Sequence, residues 1–220
     1  GAQAVHEWRD LGYLPEAMNA YLMRLGWSPG HDDILTKEEA AAVFDLAHIG
    51  KAPSRLDFAK LDSVNSHFMK LADDARMSAL LNAEIANKGW VVSATAAPRL
   101  EKAVGVLKAR AKTVVEMAEH ARFLLAERPI ALDAAAHKTK TESHAILLRL
   151  RDGLTGVKDW TAAALADALK AIAADAGVGM GKIGPALRAV LTGGLPAPDL
   201  GHVLEFLGRD EALARIADQL

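Results

Sequence analysis

Lys102, Lys108, Arg110 and Lys112 fall in one short stretch of the chain, Arg149 and Arg151 sit at a predicted helix end, and Lys182 and Arg188 flank a third segment. Cations grouped in this way have two readings. They form a solvated charged face, the common case. Where they converge, they hold a phosphate backbone while one or two arginines fork onto the edges of unstacked bases. Other chemistry is harder to find. The eight histidines are scattered, and His137 and His144 stand two helical turns apart, too far to share an ion, so no metal site is expected. Ser54, Ser63 and Ser66 lie outside any G-x-S-x-G context, and Asp57 and Asp62 beside them read as helix caps. Gly177 to Gly181 is glycine-rich but follows a predicted helix, where a dinucleotide loop would follow a strand; it reads as an interhelical turn. His48-Ile49-Gly50 opens like an ATP-binding H-I-G-H signature, yet Lys51 replaces its second histidine and no strand precedes it, so it is set aside. No catalytic residue is expected.

The elements that must position the cations are helices. Ala and Leu dominate, β-branched runs are short, and glycine or proline recurs often enough to keep the helices modest. Helices are predicted over Val5–Leu11, Pro15–Leu25, Lys37–Leu46, Phe58–Leu71, Asp73–Asn87, Arg99–Leu107, Thr113–Ala126, Leu132–Leu150 and Thr161–Ala174. Thr36 and Glu39 have capping-box spacing, and Asp159 is read as the cap of the Thr161 helix. Trp90-Val91-Val92 reads as a short extended piece, too brief to carry a sheet. Near the end, Ile183, Leu187, Val190 and Leu191 make a helical apolar stripe with Arg188 at its edge. Gly193-Gly194 stop that helix, Pro196 and Pro198 stiffen the crossing, and two further helices follow, through Leu207 and from Ala212 to Leu220. This run is either a helical hairpin closing a core or a surface that presents Arg188. Polar and turn residues place boundaries near Asp73 and Pro129.

Composition narrows the class. A chain of 220 residues can bury a sizeable core as one large domain or two small ones. No apolar run approaches the roughly 18 residues that cross a bilayer, and no secretory pattern opens the chain, so a cytoplasmic protein without membrane contact is expected. The absence of cysteine excludes disulfides and thiolate zinc sites. A net charge of −2 argues against coating nucleic acid through bulk positive charge, but leaves room for a local basic face.

Three ordered segments resemble the bacterial glutamyl-tRNA synthetases over nearly the whole chain. GAQAVHEWRDLGYLPEAMNAYLMRLGWSPG is similar to the stretch that follows the family's KMSKS-type ATP-binding loop. PSRLDFAKLDSVNSHFMKL, from Pro53 to Leu71, is similar to its next helix-forming stretch. Gly181 to Arg215 resembles its C-terminal end, with a P-x-L-R-x-x-L-T-G core. The resemblance implies a mainly all-α fold: a stem-contact fold over residues 1–71, then two helical anticodon-binding modules over 72–128 and 129–220. It implies a tRNA partner that accepts glutamate, a monomer, and an upstream catalytic domain of the same polypeptide that uses ATP and magnesium. No cofactor is expected in the present chain, which alone would be inactive. By position in the motifs, Arg188 is implied to read the first anticodon base region and Arg110, in LKARAKT, the third base, where arginine accompanies rejection of glutamine tRNA. Lys108, Lys112 and Lys182 are the candidate contacts to the tRNA backbone. Ala197 stands where some of those enzymes carry a polar anticodon contact. The rival readings are a free-standing helical adaptor for protein partners and a paralogue serving glutamine tRNA.

Overall fold

Why Leu61, Val64, Phe68 and Met69 bury together follows from their spacing: they repeat at helical period along one face of a single helix, Phe58–Leu71. The computed structural model describes residues 4–28, 30, 34–50 and 55–220. Among them are thirteen α-helices, no strand, and one isolated antiparallel bridge between Trp27 and Ile49. The all-α expectation holds. The readings placed on Lys51, Pro53 and Ser54 lie outside the described residues.

The helices are α1 Val5–Asp10, α2 Pro15–Gly26, α3 Lys37–Val43, α4 Phe58–Leu71, α5 Asp74–Asn87, α6 Ala97–Arg110 and α7 Val114–Leu125, then α8 Ala134–Glu142, α9 His144–Thr155, α10 Ala162–Asp175, α11 Met180–Thr192, α12 Leu200–Leu207 and α13 Arg209–Ala217. They divide into two compact units, the first of residues 1–84 and 104–118 and the second of residues 85–103 and 119–220. Helices α5, α6 and α7 each carry residues of both.

In the first unit α2 packs against α4. Proline opens α2 at its first turn, where a missing N–H costs nothing. Its buried face of Ala17, Ala20 and Tyr21 complements the α4 stripe, and each such large side chain removed from water stabilises the fold by about 1.5–3 kcal/mol. The Thr36 capping box forms as expected, with Glu39 N donating to Thr36 Oγ1 at 3.2 Å and Thr36 N to Glu39 Oε2 at 2.8 Å. Asp57 caps α4 by accepting from Lys60 N at 3.2 Å. Asp62 does not cap: it accepts from the Tyr13 hydroxyl at 2.7 Å, and burial, then that bond, pushes the Tyr13 pKa up.

In the second unit α11 packs against α8, α9, α10 and α13, while α10 lies along α12. Helix α11 is its centre, burying Ile183, Ala186, Leu187, Ala189, Val190 and Leu191. It ends in a left-handed Gly193, φ +68°, whose missing Cβ makes room for Ala131 O. A side chain there would meet that oxygen, and Asp133 N donates to Gly193 O at 3.0 Å.

Two further expectations, beside the Asp62 cap, differ from the structure. Leu132–Leu150 is not one helix: the chain breaks at Ser143, between α8 and α9. In the last turns of α8, Thr139 and Thr141 donate back to Ala135 O and His137 O, a bond that competes with helix propagation. Asp159 is not the cap of α10. Thr161 holds the N-cap position without a side-chain bond, and the free Ala162 N–H is satisfied by Glu205 Oε2 of α12 at 2.9 Å.

Candidate nucleic-acid interface

Three of the five proposed contact residues belong to the first unit. Helix α6 ends at Arg110, a short loop follows, and Val114 starts α7. Arg110 and Lys112 are exposed. Lys108 is not: its side chain is 13% exposed, and its ammonium pairs with Asp74 at 2.7 Å and donates to Ala72 O at the C-terminus of α4. A cation there satisfies an orphan carbonyl and suits the helix dipole.

The loop is held from several sides. Thr113 Oγ1 accepts from Glu116 N at 3.1 Å, and Glu116 Oε2 accepts from Lys112 N at 2.6 Å. From the interior, the Asn65 amide nitrogen donates to Lys112 O at 2.6 Å. The same side chain accepts from Leu14 N at 2.8 Å and reaches Gly12 O at 3.5 Å and Met69 Sδ at 3.4 Å. Gly12 O also accepts from Val114 N at 3.0 Å. Gly12 has φ +87°, and a Cβ there would come within 2.9 Å of Val114 N and 2.7 Å of Val115 N; only glycine lets the two segments close.

In the second unit, Lys182 lies exposed in the first turn of α11 and Arg188 half-buried two turns later, about 120° away around the helix, so the two do not share a face. The Arg188 guanidinium donates to Ala197 O at 3.2 Å and to Pro198 O at 3.0 Å. It thereby clamps the Pro196–Pro198 turn to α11. The group carries more N–H donors than those carbonyls use. Lys102 pairs with Glu205 at 3.1 Å and Arg151 with its neighbour Asp152 at 2.8 Å.

Sequence reasoning passed over the residue that frames this unit. Arg215 is fully buried, and its guanidinium donates to Phe123 O, Ala126 O and Leu191 O at 2.9, 2.8 and 2.7 Å, and to Glu211 Oε1 at 2.8 Å. It thus gathers carbonyls from the ends of α7 and α11. Burial pulls its pKa down, opposed by Glu211. Glu211, 14% exposed, also meets Arg99 at 3.3 Å and Arg128 at 3.5 Å. Arginine at i+4 from glutamate is an ordinary surface pair, so nothing local announced burial. Two tryptophans also meet cations: Lys88 and Arg122 lie 5.2 and 5.0 Å from the Trp90 ring centre, and Arg209 lies 4.6 Å from that of Trp160. Trp90 belongs to no strand.

Among the described residues no three His, Asp or Glu side chains converge to hold a metal ion, and no helix is long and apolar enough to cross a membrane.

Comparison with known proteins gives one family. Residues 66–220 match the family described as "Anticodon binding domain". The whole chain is 48% identical to a glutamate–tRNA ligase of Caulobacter vibrioides and 47% identical to glutamate–tRNA ligase 1 of Hyphomonas neptunium, covering 47% and 45% of those proteins. The chain therefore spans about half the length of the curated relatives it matches. Among solved structures, the glutamate tRNA ligase of Elizabethkingia meningosepticum in complex with its amino acid matches 96% of this chain and 42% of its own, with TM-score 0.79 and 27% identity. The glutamate-tRNA synthetase of Elizabethkingia anophelis matches with TM-score 0.76 at the same identity, covering 96% of this chain and 41% of its own.

Proposed function

The chain belongs to the anticodon-binding-domain family, and from that premise we propose that it is the tRNA-recognition part of a glutamate–tRNA ligase. The family match over residues 66–220 carries this reading and counts against the free-standing adaptor. Residues 1–71 act as the stem-contact fold, and 72–128 and 129–220 as two anticodon-gripping modules. The reaction belongs to the half of the relatives outside this chain, where ATP activates glutamate with magnesium. Among the described residues no three His, Asp or Glu side chains gather where that magnesium could be held. The working protein is a cytoplasmic monomer.

Selection falls to placed arginines. Arg110 reads the third anticodon base and thereby favours glutamate over glutamine tRNA, which also counts against the glutamine paralogue. Arg188 reads the first base region from a mount its own guanidinium stiffens. Lys112 and Lys182 hold phosphates, and Lys108 joins them by exchanging Asp74, whose side chain is 64% exposed, for a phosphate. A guanidinium forked onto a base edge discriminates by about 1–3 kcal/mol, while phosphate contacts add affinity that salt weakens.

The test is binding of this chain to anticodon stem-loop RNAs. Arg188→Ala is expected to weaken binding of a glutamate stem-loop by roughly tenfold to a hundredfold. Equal dissociation constants for wild type and variant, with helical content unchanged, would remove Arg188 from the role.

A further inference from the structure

We propose that Asn65 is a positioning residue for discrimination of the third anticodon base: it acts on the RNA through the loop that carries Arg110. The inference rests on the reading of Arg110 given above.

Three observations carry it. First, Asn65 is fully buried and both ends of its amide are hydrogen-bonded to the chain around it. An asparagine in a helix interior that points into a core is costly unless its donors and acceptor are met. Here they are met by segments 47 to 53 residues distant, so its place is set by what it joins and not by α4 itself. Second, the shortest of its bonds, 2.6 Å, ends on Lys112 O, two residues past Arg110. That carbonyl lies where α6 has stopped and α7 has not begun, so no helical partner fixes it. Third, the amide oxygen accepts from Leu14 N, the nitrogen that holds Lys112 O also reaches Gly12 O, and Gly12 O accepts from Val114 N directly. The loop is thereby fastened to the junction of α1 and α2 at Lys112 and at Val114, while Glu116 holds Lys112 N on the solvent side.

The consequence is geometric. A fork of N–H donors discriminates between bases only if its base is placed to within a fraction of an ångström, and an exposed arginine on an untethered helix end would not be. Asn65 never touches RNA, but it removes the freedom of the backbone from which Arg110 projects. Loss of the amide lets Lys112 O seek water, and the preference between bases falls more than overall affinity does, because phosphate contacts tolerate the displacement.

The experiment is a double-mutant cycle. Dissociation constants of this chain are measured for two stem-loops that differ only in the third anticodon base, cytosine or guanine, with wild type, Asn65→Ala, Arg110→Gln and the double variant, each checked for helical content. Arg110→Gln is expected to reduce the cytosine preference roughly tenfold. Asn65→Ala is expected to reduce it by roughly threefold or more while changing summed affinity less, and the double variant is expected to match Arg110→Gln alone. Multiplying effects in the double variant, or an unchanged preference in Asn65→Ala beside a reduced one in Arg110→Gln, would overturn the role of Asn65 while leaving Arg110 in place. An unchanged preference in Arg110→Gln would overturn the reading of Arg110 and this inference with it. If Asn65→Ala does not fold, Asn65→Asp, which keeps the acceptor for Leu14 N and replaces the donor to Lys112 O, takes its place in the cycle with the same expected and overturning outcomes.

Discussion

In the first unit the buried polar centre is a neutral amide, Asn65, which joins Gly12, Leu14 and Lys112; in the second it is a cation, Arg215, which joins Phe123, Ala126 and Leu191 and is answered by one carboxylate, Glu211. Both side chains gather backbone groups from segments far apart in the sequence. They differ in what their loss leaves behind. Removing an amide orphans one carbonyl and one N–H, each costing about 1–3 kcal/mol. Removing the guanidinium orphans carbonyls at two helix ends and strands Glu211, whose remaining partners Arg99 and Arg128 are nearer the surface. The second unit is the more deeply committed to its polar centre. It is also the better closed, since among the described residues its exposed large apolar side chains are Val91 and Met180, against Leu22, Phe44, Leu46, Phe58, Leu71 and others in the first.

The comparison breaks most directly at those two centres. Arg215→Met is expected to lower the stability of the second unit by about 3–5 kcal/mol, and Asn65→Ala that of the first by about 2 kcal/mol, read as lost hydrogen-exchange protection in α11 and α4 respectively. Equal losses would erase the distinction between a charged and a neutral centre. A smaller effect separates local from distant capping. Thr36→Ala is expected to cost about 1 kcal/mol confined to α3, whereas Glu205→Ala, with a similar local cost, also loosens α12 because its carboxylate bridges from there to Ala162 N. Exchange protection lost only within α10 would show that the bridge does not couple the helices.

The smallest effect is at the first unit's rim, where Arg76 bonds Glu16 at 2.5 and 3.0 Å and holds its carboxyl below the ordinary value of 4.5. A depressed carboxyl pKa means the folded state favours the ionised form, so this contribution is full above pH 4.5 and is lost as pH falls below it. With both partners about a third or more exposed, it amounts to no more than about 0.5 kcal/mol. Denaturant unfolding of wild type and Glu16→Gln is expected to differ by that amount at pH 7 and to coincide at pH 3; a difference that persists at pH 3 would place its origin in packing instead.

What the linear sequence determined is what local spacing decides. The all-α class, the Thr36–Glu39 box, the Asp57 cap, the glycine stop after α11 and the apolar stripes of α4 and α11 each depend on residues within two turns of one another, so their causes stand together in the text. The motifs that resemble glutamyl-tRNA synthetases are local in the same sense. Tertiary structure decided what distance hides. Glu205, not Asp159, answers the first N–H of α10; Lys108 pairs with Asp74 and Ala72; Arg188 grips the proline turn; and Asp62 answers Tyr13 instead of a helix end. Above all, Asn65 and Arg215 look like any polar residue on an amphipathic helix until the chain folds. Their partners lie tens of residues away, and a buried donor is recognisable only when the backbone groups it satisfies have been brought to it.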